Sequence, residues 1–456
     1  MKSTSTRPVV VESGGNQVAS FAGLHSVGSF ADGIGLGEAL SGAIAWKGNG
    51  VPVHDRGKVL VHQMLSLLGG GEAVSDIEFL RAEEDLFKKV CSDSTLYRTF
   101  TKSLDPFTMK DVLEAFGGVR RKVWEKAGFD KGNNPIILDI DATLVQVHSE
   151  NKEETAPKYK KGFGYHPMFV TTAKTGEVLS SELRPGNAGA NDIDDHVALV
   201  DLALDQLPDS IALGHRLKDS VEPTRDIIIR ADSAGCSTTF AASMRRRRIH
   251  FAVSSKVNDQ VRRAVSEAAE NEELWRHSID GDGTTRNGSS VCEITESVNL
   301  KVWPQGTRLI IRREPLHPGA RTTLFPHLDY RFVGFYTDLA GDPVELDLLM
   351  RERTSIEDAI GRLKDLGLNR FPFNDFSANA AWMKTVTFSH DLMRWFQLTC
   401  LKGRLRTAEP KTLRFRLFSM PARKIRSGRR IILKLLSTWP EAESLIAAHR
   451  RIALLI

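Results

Sequence analysis

With 456 residues, 41% of them hydrophobic and 26% charged, the chain is long enough for about three domains and ordinary enough to bury a core, which excludes wholesale disorder, a fibrous repeat and a small disulfide scaffold. No apolar run reaches the roughly 18 residues that span a bilayer, the N-terminus lacks the apolar stretch of a secretory signal, and Cys91, Cys236, Cys292 and Cys400 lie too far apart for a CxxC pair. Net charge is only +5, from 62 Lys and Arg against 57 Asp and Glu, and a reducing cytoplasm with no membrane partner is the expectation.

Residues 1–20 are polar and read as loose or strand-like. From Gly33 to about Val123 apolar residues recur at helical spacing. Gly69 to Gly71 end one helix, Asp105-Pro106 starts another, and Gly117-Gly118 interrupts it. This predicts a helical N-terminal domain. Gly132 to Pro135 then make a turn, and the run from Ile136 to Val147 is β-rich and apolar. GYHPMFVTT and GEVLSSELRP follow as strands joined at Thr175-Gly176. NDIDDHVALVDLALDQL is a helix with Ile193, Val197, Val200, Leu204 and Leu207 on one face and acids at its start. DIIIRADSAG reads as a central strand ending in a turn, TTFAASMRRRR as a helix and IHFAVSSKV as a fifth strand. The order β-β-β-α-β-α-β over 136–254 predicts three antiparallel strands followed by parallel neighbours, a mixed α/β sheet with helices on its faces.

Residues 257–348 break this pattern with a charged helix (VRRAVSEAAENEELWRHS), a flexible turn (DGDGTTRNGSS) and strand-like pieces (SVNLKVWP, TRLIIRRE, YRFVGFYTD). LLMRERTSIEDAIGRLKDLGL and Ala380 to Leu405 are predicted helical. The tail beyond about 410 mixes basic residues with Leu and Ile at helical spacing. Residues 401–456 carry fourteen Lys and Arg against three Asp and Glu, which leaves the first 400 residues slightly acidic. A basic tail on such a body suits an anionic polymer, nucleic acid first, or is a solvated helix face.

Asp139 and Asp141 stand two apart in LDIDAT, on one face of a strand. A carboxylate in so apolar a run is costly unless it meets a metal, an arginine or hydrogen bonds. Asp232 follows three isoleucines at a strand end, where ligands of open α/β sheets gather; the alternative is a cap for the next helix. Glu357 has Arg353 at i−4 and Lys364 at i+7 on one helical face, a stripe that alone reads as surface ion pairs. Together, two Asp at strand ends and one Glu on a later helix make a candidate site for Mg²⁺ or Mn²⁺, hard ions that prefer oxygen. Two such ions, about 3.5–4 Å apart, clamp the attacking and leaving oxygens of an in-line phosphoryl transfer. Arg353 and Lys364 would then hold the phosphodiester backbone.

These residues lie within LDIDATLVQVHSENKEETAPKYKKGFGYHP, LRPGNAGAND, IIIRADSAG, RREPLHPGA and NAAW. The combination resembles the DDE transposases of bacterial insertion sequences, and among them the branch typified by insertion sequence 1380, related to the insertion sequence 4 group. The likeness runs nearly the length of the chain. It implies an α/β, RNase H-like core over 131–256 and 349–405, with a strand-rich insertion at 257–348. A helical N-terminal DNA-binding domain (1–130) and a basic helical C-terminal region (406–456) complete the implied layout.

The resemblance implies Asp141, Asp232 and Glu357 as catalytic metal ligands, with Asp139 a rival for the first position. Asp-Ala-Thr here resembles the related group's Asp-Thr-Thr. That group's Tyr-x2-Arg-x3-Glu-x6-Lys signature is matched by Arg353, Glu357 and Lys364, but Met350 stands where Tyr is expected. The implied reaction is cut-and-paste transposition with two Mg²⁺ ions, Mn²⁺ substituting. Water cuts the phosphodiester at the terminal inverted repeats of double-stranded DNA, and the freed 3′-OH attacks target DNA. Two protomers act as a homodimer, in a bacterial, nucleoid-associated setting. In the related group an aromatic from the insertion stacks on a flipped base; Trp303 is the candidate, against a core tryptophan in a strand. Arg312, Arg313 and the run Arg245 to Arg248 are candidate phosphate contacts or solvated surface. His166 and His317 have no ligand partners at useful spacing and read as structural or substrate-adjacent. Two other readings stay open, a transposon-derived DNA-binding protein that does not cut and a metal-dependent nuclease on the same core.

Overall fold

The structure is a computed structural model that describes residues 17–46, 50–157, 162–189, 191–217, 220–256, 258–316 and 330–455. The first sixteen residues of the polar start, and His317 with its HPGA stretch, lie outside the described residues.

Caps and apolar periodicity set the helical start. After a short strand β1 (Val18–Ala19), helices α1 (Ala22–Gly33), α2 (Leu36–Ala43) and α3 (Arg56–Gly69) pack together. Asp55 caps α3 by accepting from the Lys58 N–H at 2.9 Å, and Gly70 ends it at φ 110°, a left-handed value that suits glycine. Short helices α4 (Glu78–Arg81), α5 (Glu84–Phe87) and α6 (Asp93–Arg98) lead to α7 (Pro106–Ala127), which Asp105 caps. α7 runs unbroken through Gly117-Gly118, where an interruption was expected. Gly117 faces Gln206, and a Cβ there would lie 2.8 Å from the amide oxygen, so this glycine permits close packing.

Gly23 on α1 is a tighter case, because a Cβ would lie 1.9 Å from the Leu417 carbonyl oxygen. Gly23→Ala is expected to lower stability by about 1–3 kcal/mol, read in urea unfolding as a lower midpoint at an unchanged slope.

The sheet begins at β2 (Ile136–Ala142). β3 (Val145–Val147), β4 (Ala156–Pro157) and β5 (Phe163–Tyr165) form a separate small sheet, and β6 (Met168–Thr172) and β7 (Val178–Glu182) return to β2. GYHPMFVTT is thus two strands in two sheets, divided at Pro167, which has no N–H for a ladder. Next come α8 (Ile193–Gln206), α9 (Asp209–Arg216), β8 (Ile227–Ala231), α10 (Thr238–Arg246) and β9 (His250–Ser254). β2, β6 and β7 pair antiparallel, whereas β8 and β9 run parallel to β2, as the alternation of elements predicts.

α11 (Asp259–Ala269) leads to β10 (Arg276–Ile279), β11 (Thr285–Glu293), β12 (Arg308–Pro315) and β13 (Tyr330–Thr337), an antiparallel set joined to β9 through β13. The whole sheet has the order β10-β11-β12-β13-β9-β8-β2-β6-β7. Thr285 to Ser290, read as part of a flexible turn, belong to β11, which pairs with β10 at Thr285 and Ser290 and with β12 from Ser290 onward. SVNLKVWP is a loop instead of a strand. There the Asn299 side chain accepts from the Lys301 N–H at 3.1 Å, a local turn that replaces ladder bonds.

α12 (Pro343–Arg351) and α13 (Thr354–Leu363) replace the single helix predicted from Leu348 to Leu368, with a turn at Glu352-Arg353 between them. α14 (Phe376–Cys400) and α15 (Pro410–Leu413) follow. The basic tail departs from its helical expectation: β14 (Ala422–Ser427) and β15 (Arg430–Leu435) form a hairpin before α16 (Ala442–Leu455). The β-branched Ile425, Ile431 and Ile432 favour that choice. β14 also pairs with β1.

Apolar clusters cover both faces of the large mixed sheet. Leu138, Ile140, Val170 and Ile229 pack with Leu199 and Leu204 of α8 and Phe240 of α10. Phe169 and Val178 join the cluster holding Trp382 and Trp395 of α14 and the N-terminal helices. A buried polar knot crosses this second layer. Arg120 of α7 meets Glu177 at 3.3 Å and also Asp391 of α14, while Trp124 and Trp395 donate to Glu177 at 2.9 and 2.6 Å. Burial pushes the Glu177 carboxyl up, and Arg120 works against it. Among the described residues no helix is long and apolar enough to cross a membrane.

Candidate active site

β2 and β8 are adjacent and parallel, so their carboxyl ends open on one edge of the sheet. Asp141, next to last in β2, and Asp232, just after β8, both lie at that edge. Strand alternation puts Asp139 and Asp141 on one face, and contacts to Arg353 and Ser355 identify it as the face under α13.

The fates of the two β2 acids differ. Asp139 is 0% exposed. Arg230, opposite it in the strand register, donates from Nε at 2.6 Å and Nη2 at 2.7 Å, and the Ser355 hydroxyl donates at 2.7 Å. Both oxygens of Asp139 are therefore taken by protein donors. Asp141 is more open. Its Oδ1 accepts from the Ala142 N–H at 2.8 Å, and its Oδ2 meets the Arg353 guanidinium at 3.1 Å. Burial holds the Asp141 carboxyl above the usual carboxylate range; Arg353 opposes this, and the neighbouring Asp232 carboxylate adds to it. A carboxyl held up by burial and by a neighbouring acid is an electrostatic mark of a functional site. Asp232 fixes its own turn, its Oδ1 accepting from the N–H groups of Ala234 at 2.9 Å and Gly235 at 3.4 Å.

Arg353 sits in the turn between α12 and α13 and also donates to the Ile140 carbonyl at 3.1 Å. Arg230 holds that turn from below, reaching the carbonyls of Leu349 and, at 3.3 Å, Glu352. Glu357 is four residues past Arg353, in the first turn of α13. It is exposed and makes no hydrogen bond or ion pair among the described residues. Lys364, partly buried, follows the end of α13. Among the described residues no group of three or more His, Cys, Asp or Glu side chains is gathered to hold a metal ion. The structure brings Asp141 and Asp232 together and leaves Glu357 outside the pair.

The remaining candidates lie away from this edge or are tied internally. Trp303 is in a loop and stacks on Tyr336, centroids 4.2 Å apart and planes inclined by 25°. Arg312 pairs with Glu314 at 3.0 Å and Asp347 at 2.7 Å. Arg313 pairs with Glu272 at 2.9 Å, its guanidinium 4.4 Å from the Trp275 ring centre. In the four-arginine run, Arg245, Arg247 and Arg248 pair with Asp338, Asp201 and Glu222, and Arg246 donates to the Ser243 hydroxyl. His166 is buried, its Nδ1 at 2.9 Å from the Ala188 carbonyl oxygen.

Sequence reasoning missed Arg230 and His196. An arginine among isoleucines needs an anion, a signal that the strand itself carries. His196, on the first turn of α8, has its Nδ1 2.5 Å from the Asp192 carbonyl oxygen; burial holds its imidazole below the usual range, and Asp232 pulls the other way. No feature of the sequence marks it.

A family model described as Transposase DDE domain group 1 matches residues 1–456. No curated protein matches the chain. A solved structure, the cryo-EM structure of a piggyBac transposase synaptic complex with hairpin DNA, is similar at a TM-score of 0.42 and 11% identity, over 87% of this chain and 80% of that one.

Proposed function

The chain belongs to the DDE transposase family, domain group 1, and from that premise we propose that it is a cut-and-paste DNA transposase of the insertion sequence 1380 type, related to the insertion sequence 4 group. The observation that carries the reading is the coupling of Asp141 with Asp232 at the carboxyl ends of two parallel strands, with Arg353 on the first acid. The strand order β9-β8-β2-β6-β7, two strands parallel to β2 and then an antiparallel meander, supports an RNase H-like core over 131–256 and 349–405. β10 to β13 then belong to an insertion at 257–348.

The donor set fits a divalent metal. Asp141, Asp232 and Glu357 offer only hard carboxylate oxygens, and Asp232 Oδ2 and both Glu357 oxygens have no partner among the described residues. These three residues would hold Mg²⁺ or Mn²⁺, two ions in the full site. Such ions acidify an attacking water and offset the charge that builds on a phosphodiester. The chain's own residues do the rest. Asp141 and Asp232, fixed at the sheet edge, define where the scissile phosphate sits. Arg353 exchanges its Asp141 carboxylate for a phosphate oxygen, a charge-assisted contact. Lys364, about two helical turns past Glu357, takes a neighbouring backbone phosphate. Double-stranded DNA is the partner, at the terminal inverted repeats and at the target, with two copies of the chain in the synaptic complex.

The test is a labelled duplex carrying the element's terminal repeats, incubated with Mg²⁺, Mn²⁺ or EDTA. Nicks at the repeat boundary are expected with either ion and none with EDTA, followed by joining of the freed 3′ end to a second duplex. Hydrolysed ends that never join would make the chain a nuclease. End binding without any nick would make it a DNA-binding protein.

A further inference from the structure

The hairpin of β14 and β15 carries cations on both of its faces, and only one face has acids to meet them. Register pairs Ala422 with Leu435, Lys424 with Leu433 and Arg426 with Ile431, so these six side chains share a face. That face is turned to the body: Leu433 and Leu435 pack on the core, Lys424 meets Glu83 at 3.2 Å, and Arg426 meets Asp85 at 2.7 Å. The opposite face holds Arg423 with Lys434, Ile425 with Ile432, and Ser427 with Arg430. Arg423, Arg430, Ile432 and Lys434 are exposed, as is Arg429 in the turn. None of these four cations has an acidic partner among the described residues, and Arg423 reaches only the Gln17 amide oxygen, at 3.4 Å.

We propose that the outward face of this hairpin is a contact surface for double-stranded DNA, seated in the major groove. A two-stranded ribbon fits a groove about 12 Å wide. Arg430 and Lys434, four residues apart on one strand, stand about 14 Å apart, enough for each to reach the phosphates of one groove wall. Ile425 and Ile432, paired between the cations, face the groove floor, where thymine methyl groups offer apolar contact. The charge asymmetry selects this occupant: the inward cations are matched by Glu83 and Asp85, and the outward ones await an anion of repeating charge. The inference rests on the transposase reading, which supplies the DNA.

The experiment measures binding of the full chain to a random-sequence duplex at several NaCl concentrations, for the unaltered protein and for a variant combining Arg423→Gln, Arg430→Gln and Lys434→Gln. Three phosphate contacts contribute about 2.7 to the slope of log affinity against log salt, so the slope is expected to become shallower by that amount. Lys424→Gln, on the inward face, is expected to keep the full slope. Arg430→Gln alone, at the exposed tip, is expected to lose about one unit, and this variant decides the matter if the triple change fails to fold. An unchanged slope in the folded triple variant overturns the hairpin contact, as does loss of polyglutamate binding alone, which would mark the face as a dock for acidic protein. Absence of salt-dependent DNA binding by the unaltered chain overturns the transposase reading instead.

Discussion

Asp232→Asn is expected to bind terminal-repeat DNA within about twofold of the unaltered chain and to nick it about a hundred- to a thousandfold more slowly. The separation of binding from cutting follows from what each oxygen of Asp232 does. Its Oδ1 holds the turn after β8 through the N–H groups of Ala234 and Gly235. Asparagine keeps an oxygen for those bonds, so the turn and the edge of the sheet survive. The substitution removes the negative charge that the proposed metal would need. It also removes the carboxylate that helps raise Asp141, whose own carboxyl should then ionise more readily. Nicking by gel and binding by fluorescence anisotropy, on the same preparation, give the two readings. Cutting within tenfold of normal would take Asp232 out of the chemistry.

The sheet was largely legible because its signals are local. Three isoleucines before Asp232 announce a buried strand, and the alternation of strands and helices over 136–254 allows few topologies. The hairpin was misread because RIILKL also places apolar residues at helical spacing, and its choice of strand depends on pairing with ARKIRS and, through it, with residues 18 and 19. The turn at Glu352-Arg353 was hidden for a similar reason. Its residues are good helix formers, and what holds the turn is the guanidinium of Arg230, more than a hundred residues earlier. The rivalry between Asp139 and Asp141 could not be decided from spacing, since both lie on one strand face. Register sets the two apart, which is why Asp141 is the one proposed for the metal: Arg230 stands opposite Asp139, and no cation stands opposite Asp141, whose β6 partner is Phe169. The ion pairs of Arg312 with Asp347 and of Arg313 with Glu272 were not legible because those acids are remote in sequence.

Arg230→Ala is expected to destabilise the protein by about 3–5 kcal/mol, because it leaves the carboxylate of Asp139 buried and short of two donors. Replacing both partners, Arg230→Met with Asp139→Leu, should return most of that loss, since a buried ion pair and an apolar pair of similar volume are often near equal in stability. Activity is expected to part company with stability at this point. Methionine cannot donate to the carbonyls of Leu349 and Glu352, and leucine cannot accept from Ser355, so among these contacts only those of Arg353 itself, to Asp141 and to the Ile140 carbonyl, still tie the turn to β2. In the double variant, urea unfolding should approach normal while hydrogen exchange at residues 349–358 quickens and nicking stays depressed. A double variant that recovers both stability and cutting would show that the pair merely fills the core. The predicted outcome instead makes Arg230 a positioning residue, holding the turn that carries Arg353 in place by the same guanidinium that neutralises the buried acid.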